Sequence, residues 1–586
     1  MSRVEPNRNV YVGHRYVPKI FGEWDKQNQY EGLSIVTHQG NSYTSKKRVP
    51  VGIDILNEEY WVVTGNYNAQ VEDYRQEVRT LEGKVTDNTS AISDHDTRIT
   101  DNTTKANNNT ATINNVNDRL LDVENGFNDR LEEVEKWVDP ELETLEIKVP
   151  GDFSDLQSAF DHALKIRNGT KINIVMQTGY NPSKGIFIED SNAGHIKLSS
   201  VDDVVTVSND FTGHFIYAYK SIAPLLNCLI DMNHLGQDGL RVSHSSLATI
   251  NPQCGVINAG VTGIYARTST VTGSYSKFMN AGDRGLWATR SASVSVPNSD
   301  FSGANGTVGI YASRSSNVDL SDAILNDMNT RLGAVQCLRS KMTLLGASIN
   351  NSQGPGILAG GGAEIVCRGV SIKNAKGSAV VASGGRVALG SGSDLSNAGE
   401  HGIHAYIGGV VGGVETIIND ATYSAIQVEQ SARVALSRST ISRSGSSNAA
   451  VFVTGASHLE LANATVRDSA NDSVYITRGS SADVGFLKSY NSKGSALRVS
   501  NASNVSALSM TSTGAGTFGV VSENGSMVSI RLGNITGSVN KDLMVQYGGH
   551  MTTNGCTTTN GEGQPALTDV NVDSFNSINS LGIMYR

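Results

Sequence analysis

Gly263-Ile-Tyr-Ala, Gly285-Leu-Trp-Ala, Gly309-Ile-Tyr-Ala, Gly356-Ile-Leu-Ala and Gly402-Ile-His-Ala are copies of one short pattern, with Gly239-Leu-Arg-Val a close variant. The pattern is Gly or Ala, an aliphatic residue, any residue, then Ala or Val. It returns about every 23 residues from Phe215 to Ser522. Weaker copies begin at Phe215, Gly333, Ala379, Ala425, Ala450, Ser473, Ala496 and Gly519. A second alternating run follows most copies, as in Ser293-Val-Ser-Val, Arg386-Val-Ala-Leu and Arg433-Val-Ala-Leu. Gly/Asn/Ser clusters close each unit.

Two or three short period-2 strands per unit, with no helical periodicity, predict stacked parallel coils. The fold class expected is mainly β, a right-handed parallel β-helix. Counting copies gives 14 coils, and about 4.8 Å per coil makes a shaft of roughly 65 Å. Each coil buries its apolar residues only against its neighbours, so the ends of the stack need covers.

Within a coil, the aliphatic second residue and the small fourth residue share the inner face, and the third residue points outward. That outward row contains Tyr217, Arg241, Tyr265, Trp287 and Tyr311, and later His404, Phe452, Tyr475 and Arg498. Tyr265, Trp287 and Tyr311 are expected to form a flat exposed ladder, since aromatic faces stack on sugar rings. Arg267, Arg290 and Arg314 follow on the same strands, and guanidinium groups clamp phosphate by paired hydrogen bonds. The substrate-binding candidates are therefore Tyr265, Trp287, Tyr311, Arg267, Arg290 and Arg314, facing an anionic polymer. Packing of the same column against a neighbouring subunit is the competing reading.

Hydrolysis needs a general acid and a base. Asp238 and Asp283 are the catalytic candidates, because they fall near one corner two coils apart. Two rises put them roughly 9 to 10 Å apart, at the upper end of the separation for inverting glycosidases. Single corner carboxylates are more often merely solvated. His401 and His404 are read as lying on opposite faces of a strand and so as a poor metal pair. No metal site and no cofactor is expected. The Gly360-Gly-Gly run reads as a corner rather than a phosphate loop, because no helix opens after it.

The 586 residues leave room for several segments, and a net charge of -9 argues against generic nucleic-acid binding. Five Cys lack zinc-type spacing and cannot all pair within one chain, which suits folding in a reducing compartment. No signal peptide and no membrane-spanning run is apparent. Residues 1–66 carry Trp24, Tyr30, Leu33-Ser-Ile-Val and Tyr60-Trp61, short alternating runs that predict a small β module. Trp24 and Trp61 serve either a small core or sugar stacking.

Within residues 67–140 an unbroken heptad runs from Val71 to Trp137, with Ile92, Ile99 and Ile113 at a. Ten heptads predict a coiled coil of about 100 Å. Polar d residues, Asn88, His95, Asn102 and Asn109, fix register and point to a trimer. Asn-Thr at d and e resembles the stalks of trimeric bacterial adhesins. A partly disordered Asn-rich linker is the alternative.

Residues 141–212 should hold a helix that plugs the first coil. Ser154-Asp-Leu-Gln157 fits a capping box, and Leu156, Ala159, Phe160 and Ala163 follow at helical spacing. The coils proper span residues 213–532, and residues 533–586 are expected to close the other end.

The order of module, coiled coil and plugged β-helix resembles the pre-neck appendage or tail spike of short-tailed Bacillus phages, a pectate-lyase-like β-helix spike. The matching stretches are Gly40-Asn-Ser-Tyr-Thr-Ser, Tyr60-Trp61 with Gly65-Asn-Tyr-Asn-Ala-Gln, and Val149-Pro-Gly-Asp-Phe. These motifs are structural rather than catalytic. The resemblance implies a homotrimer on the virion, assembled in the host cytoplasm and attached to collar or tail proteins through its N-terminal module. It implies recognition, and degradation, of wall teichoic acid or a related host cell-wall polymer, with no nucleic acid bound and no membrane insertion. A further C-terminal assembly domain found in some members has no obvious counterpart. A non-catalytic receptor-binding fibre and a bacterial trimeric adhesin are the alternatives.

Overall fold

The structure is a computed structural model. It describes residues 17–66, 76, 79, 83–84, 87–90, 92–105, 107–109, 144–166, 170–446 and 448–559, and the strands Val570–Val572 and Ile583–Tyr585. The chain divides into two units, Met1–Pro140 and Glu141–Arg586.

In the first unit, Lys19–Glu23, Ser34–His38, Asn41–Ser45 and Trp61–Asn66 form one four-stranded sheet in that order. Tyr30, Val36, Tyr43, Val49, Ile55 and Trp61 are its buried core. Trp61 is 2% exposed, with its ring 5.3 Å from that of Tyr30. It is a core residue, and sugar stacking at Trp61 is ruled out by its burial. Residues 92–105 are helical, and the a-position residues Ile92 and Ile99 are each 61% exposed in the single chain. Most other heptads, including all those after residue 109, lie outside the described residues.

The second unit is a parallel solenoid. One sheet of 16 strands runs from Lys184–Glu189 to Lys541–Gln546, two strands more than the 14 sequence copies. Fifteen rises of 4.8 Å make it about 72 Å long. A second parallel ladder runs from Leu145–Val149 to His550–Asn554, with one register shift between Asn227 and Leu229. The third side begins as single bridges, Lys277 to Asp300 to Ile324 to Ser348, and widens into a seven-stranded sheet from Ile417–Asn419 to Thr557–Thr558.

Parallel in-register stacking puts like residues above one another. Ile264, Leu286 and Ile310 form one column of fully buried side chains. Phe278 and Phe301 stack within the core at 5.6 Å and 16° between planes. The small first residue of the repeat has a steric cause. A Cβ added to Gly402 would sit 2.2 Å from Ile418 Cγ2 and 2.6 Å from the Ala425 carbonyl oxygen.

The corners are equally regular. Asn351, Asn374 and Asn397 adopt positive φ, which Asn tolerates better than most residues. Their amides bond from coil to coil, Asn374 to Asn351 at 2.9 Å and Asn397 to Asn374 at 3.0 Å. A buried serine ladder does the same for the backbone: the amides of Ser457, Ser480 and Ser503 donate to the hydroxyl one coil on at 3.1–3.2 Å.

The first coil is covered by the helix Leu156–Ala163, whose Leu156, Ala159, Phe160 and Ala163 join the core. Asp155, not Ser154, is its N-cap and accepts the Ser158 amide at 2.9 Å. That bond is the main cause holding the Asp155 carboxyl below its usual range. Gln157, two residues on, bonds the edge strand instead of closing a capping box: its Oε1 accepts from Phe187 N at 2.7 Å and its Nε2 donates to Phe187 O at 3.1 Å. Unpaired edge groups are thereby satisfied. At the far end, Ile583–Tyr585 adds in parallel to His550–Asn554, and Val570–Val572 pairs with it antiparallel.

All five Cys are free. Burial pushes the thiols of Cys337 and Cys367 up to about 12, so they stay protonated and inert.

Candidate functional site

The outward row lies on the 16-stranded sheet. Phe187, Tyr217, Arg241, Tyr265, Trp287 and Tyr311 are register partners on successive strands. The copy beginning at Gly333 is displaced by one residue, because Val335 aligns with Ile310 and Gln336 with Tyr311. Gly333 is taken up in the corner at φ 125°.

The three aromatics point away from the buried aliphatic column, as alternation requires, but they do not make a flat exposed ladder. Tyr265 is only 8% exposed. Its ring meets Trp287 edge-on at 5.0 Å and 89°, and Trp287 meets Tyr311 at 6.2 Å and 46°. Two guanidinium groups lie over them. Arg241 sits 4.4 Å above Tyr265 and 5.4 Å from Tyr217. Arg284 sits 4.5 Å above Trp287 and 5.8 Å from Tyr311. Cation–π contacts of this kind contribute about 0.5–2 kcal/mol and compete with a flat stacking surface.

The aspartates anchor these cations. Asp238 is 3% exposed; its Oδ2 lies 2.9 Å from Arg241 Nη1 and 3.2 Å from His214 Nδ1. Asp283 Oδ2 bonds Arg284 Nη1 at 2.5 Å, and its Oδ1 accepts from the amide and hydroxyl of Thr307, each at 2.9 Å. They do not share one corner position, since Thr262 pairs with Arg284 and so places Arg284, not Asp283, two coils from Asp238. Both carboxylates are engaged in holding arginines over the rings.

Beside this covered row runs a second, uncovered one. Arg267 closes the strand Thr262–Arg267, while Arg290 and Arg314 take the next corner at φ 54° and 57°. Arg339 continues the corner at φ 50°. Backbone bonds from Ser291 N to Arg314 O (2.9 Å) and from Ser315 N to Arg339 O (2.8 Å) fix the three in one column. All three are exposed, and none forms an ion pair among the described residues. The Arg-Ser step after each strand was the signal for Arg339; reading Gly333 one residue early concealed it. On the covered row, Trp287 Nε1 and Arg284 Nε are buried donors with no acceptor among the described residues. Buried donors of this kind call for a partner.

Two polar clusters farther along the same sheet escaped the sequence. His401 and His404 are not apart: their rings are 5.0 Å from each other. His401 precedes the strand Ile403–Tyr406, so strand alternation does not extend to it. Its Nδ1 accepts the Ser424 amide at 3.3 Å, and burial above all, with His404 beside it, pushes it down to about 4. His404 Nε2 lies 3.0 Å from Glu429 Oε1. In the other cluster, Arg498 bonds Glu523 at 2.7 Å and lies 4.9 Å over Tyr475. Asp472, near the same Arg498, is raised by burial. Among the described residues no group of three or more His, Cys, Asp or Glu could hold a metal ion, and no helix is long and apolar enough to cross a membrane.

Sheet topology and sequence together define a right-handed parallel β-helix protein: residues 220–372 match the family described as right handed beta helix region. Among solved structures the chain is similar to the catalytic unit of a thermostable GH87 alpha-1,3-glucanase from Streptomyces thermodiastaticus, at 12% identity and a TM-score of 0.24, covering 71% of this chain and 69% of that one. It is also similar to the PL6 family alginate lyase AlyGC, at 10% identity and a TM-score of 0.17, covering 70% and 97%. No curated protein matches the sequence.

Proposed function

We propose that the chain is the subunit of a homotrimeric phage appendage or tail spike that adsorbs to a host cell wall by binding, and hydrolysing, an anionic envelope polymer such as wall teichoic acid. The observation that carries this reading is the pairing of two rows on one sheet: aromatic rings with unaccepted donors at Trp287 and Arg284, and beside them the unpaired Arg290, Arg314 and Arg339. Trp287 and Tyr311 stay partly exposed beside the arginines that lie over them, and these open ring portions suit sugars or polyols, while free guanidinium groups suit phosphate. The row follows the shaft, so a chain-like ligand fits it better than a compact one.

The homotrimer in this reading draws its support from the heptad segment. Ile92 and Ile99 repeat at the heptad interval and stand exposed on a helix, which packing among three copies would cover. The small aromatic module is the part that would seat on collar or tail proteins.

A non-catalytic receptor-binding fibre is the second reading, favoured by the engagement of Asp238 and Asp283 with Arg241 and Arg284. Purified wall teichoic acid separates the two. Retention of polymer with release of short fragments supports the hydrolase, retention without fragments supports the fibre, and no retention rejects both.

A further inference from the structure

We propose that His404, Glu429 and His401 form a second, hydrolytic centre that cleaves a neutral carboxylic ester carried on a glycan. This goes beyond polymer adsorption and uses residues outside the arginine rows.

The geometry assigns the protons. His404 Nε2 faces Glu429 Oε1 at 3.0 Å, so the shared hydrogen lies there and the lone pair is on Nδ1. His404 Nδ1 makes no hydrogen bond among the described residues, and the side chain is 22% exposed. His401 has the same tautomer: its Nδ1 accepts the Ser424 amide, so its hydrogen is on Nε2, which is left as a donor. Burial keeps that ring uncharged in neutral solution. A base with an anchored carboxylate thus stands beside a neutral N–H donor, their rings 5.0 Å apart.

The surroundings select the bond. Tyr406 lies 4.7 Å from His404 and Tyr423 5.6 Å from His401, giving the centre aromatic walls. The charged groups about it are Glu429 and Glu400, with Gln427 Nε2 3.5 Å from Glu429 Oε2 and Ser378 Oγ 3.1 Å from Glu400. No Lys or Arg pairs with either carboxylate among the described residues. An acidic site without cations repels phosphodiesters and uronates, and it accepts an uncharged acyl group.

In the step, His404 Nδ1 takes a proton from water as the water oxygen bonds to the carbonyl carbon. His401 Nε2–H donates to the oxyanion that forms. Collapse breaks the bond to the alcohol oxygen, which takes the proton back from Nδ1. One water is consumed, and a carboxylic acid and a free hydroxyl result.

The test uses the full chain with chemically O-acetylated dextran, a neutral probe, and measures released acetate. Wild type should release acetate well above the blank rate. His404→Gln, which retains a donor to Glu429, should lower the rate about 100-fold. His401→Asn, which retains an acceptor for Ser424, should lower it about 100-fold by removing the oxyanion donor. Glu429 is a positioning residue, and Glu429→Gln should lower kcat for acetate release while leaving KM unchanged, a split that a merely structural role would not produce. No release by wild type above blank, or an unchanged rate in folded His404→Gln, overturns the proposal. Substituting Arg290, Arg314 and Arg339 should leave acetate release from this neutral probe intact, so the fate of the polymer-binding reading is scored separately.

Discussion

Replacing Arg290, Arg314 and Arg339 together by Asn tests whether the uncovered corner column binds polyanion. Asn removes the charge and tolerates the left-handed corner these residues occupy, at φ 54°, 57° and 50°. The three guanidinium groups are exposed, so each contact with a phosphate is discounted to about 0.2–1 kcal/mol. Three such contacts sum to about 2 kcal/mol, which is about a 30-fold loss of affinity. The same exposure makes binding salt-sensitive, since the screening length falls from about 10 Å at 0.1 M salt to about 3 Å at 1 M. Titration calorimetry with poly(glycerol phosphate) should show the wild type weakening as salt rises and the triple variant already weak at low salt. Affinity within twofold of wild type, with no salt dependence in either protein, would refute the electrostatic reasoning.

Other expectations concern stability and assembly. His401 binds its proton less readily folded than unfolded, so its contribution is complete above about 6.5 and is lost as pH falls toward about 4. That interval is worth about 3 kcal/mol, and His401→Asn should flatten the acid limb of a denaturant-midpoint against pH curve. Gly402→Ala forces a methyl against Ile418 and should cost about 1–3 kcal/mol by thermal unfolding, despite being a favourable exchange for chain entropy. Asp238→Ala leaves Arg241 over the rings without its anchor and should destabilise by about 3 kcal/mol, a loss visible in chemical unfolding without any substrate. Ile92→Asn with Ile99→Asn should convert a trimer to monomer in sedimentation velocity; an unchanged mass would show that the stalk is not what joins the chains.

What could be read from sequence was whatever the coil repeats. Gly285-Leu-Trp-Ala encodes its own burial, because the small first residue, the inward Leu286 and the outward Trp287 follow from alternation and close stacking alone. The third side was harder to read. In the first half it consists of single bridges at residues such as Lys277, Asp300 and Ile324, with too little strand to show a period. Site detail failed where it depended on register or on side-chain reach. One corner residue at Gly333 shifted a copy and hid Arg339. The burial of Tyr265 comes from Arg241, a residue of the neighbouring coil whose guanidinium is held by Asp238, and no linear pattern reports such a bridge. The meeting of His401 and His404 came from a corner outside the strand, where alternation has no authority.

Polymer binding requires the outer face of the 16-stranded sheet to be open in the assembled protein. A structure of the assembly with bound polymer fragments tests this directly. Ligand density along Trp287 and Tyr311, with phosphate oxygens at Arg290 and Arg314, is the expected result. Density elsewhere, or a neighbouring subunit sealed over Tyr265, Trp287 and Tyr311, would contradict it.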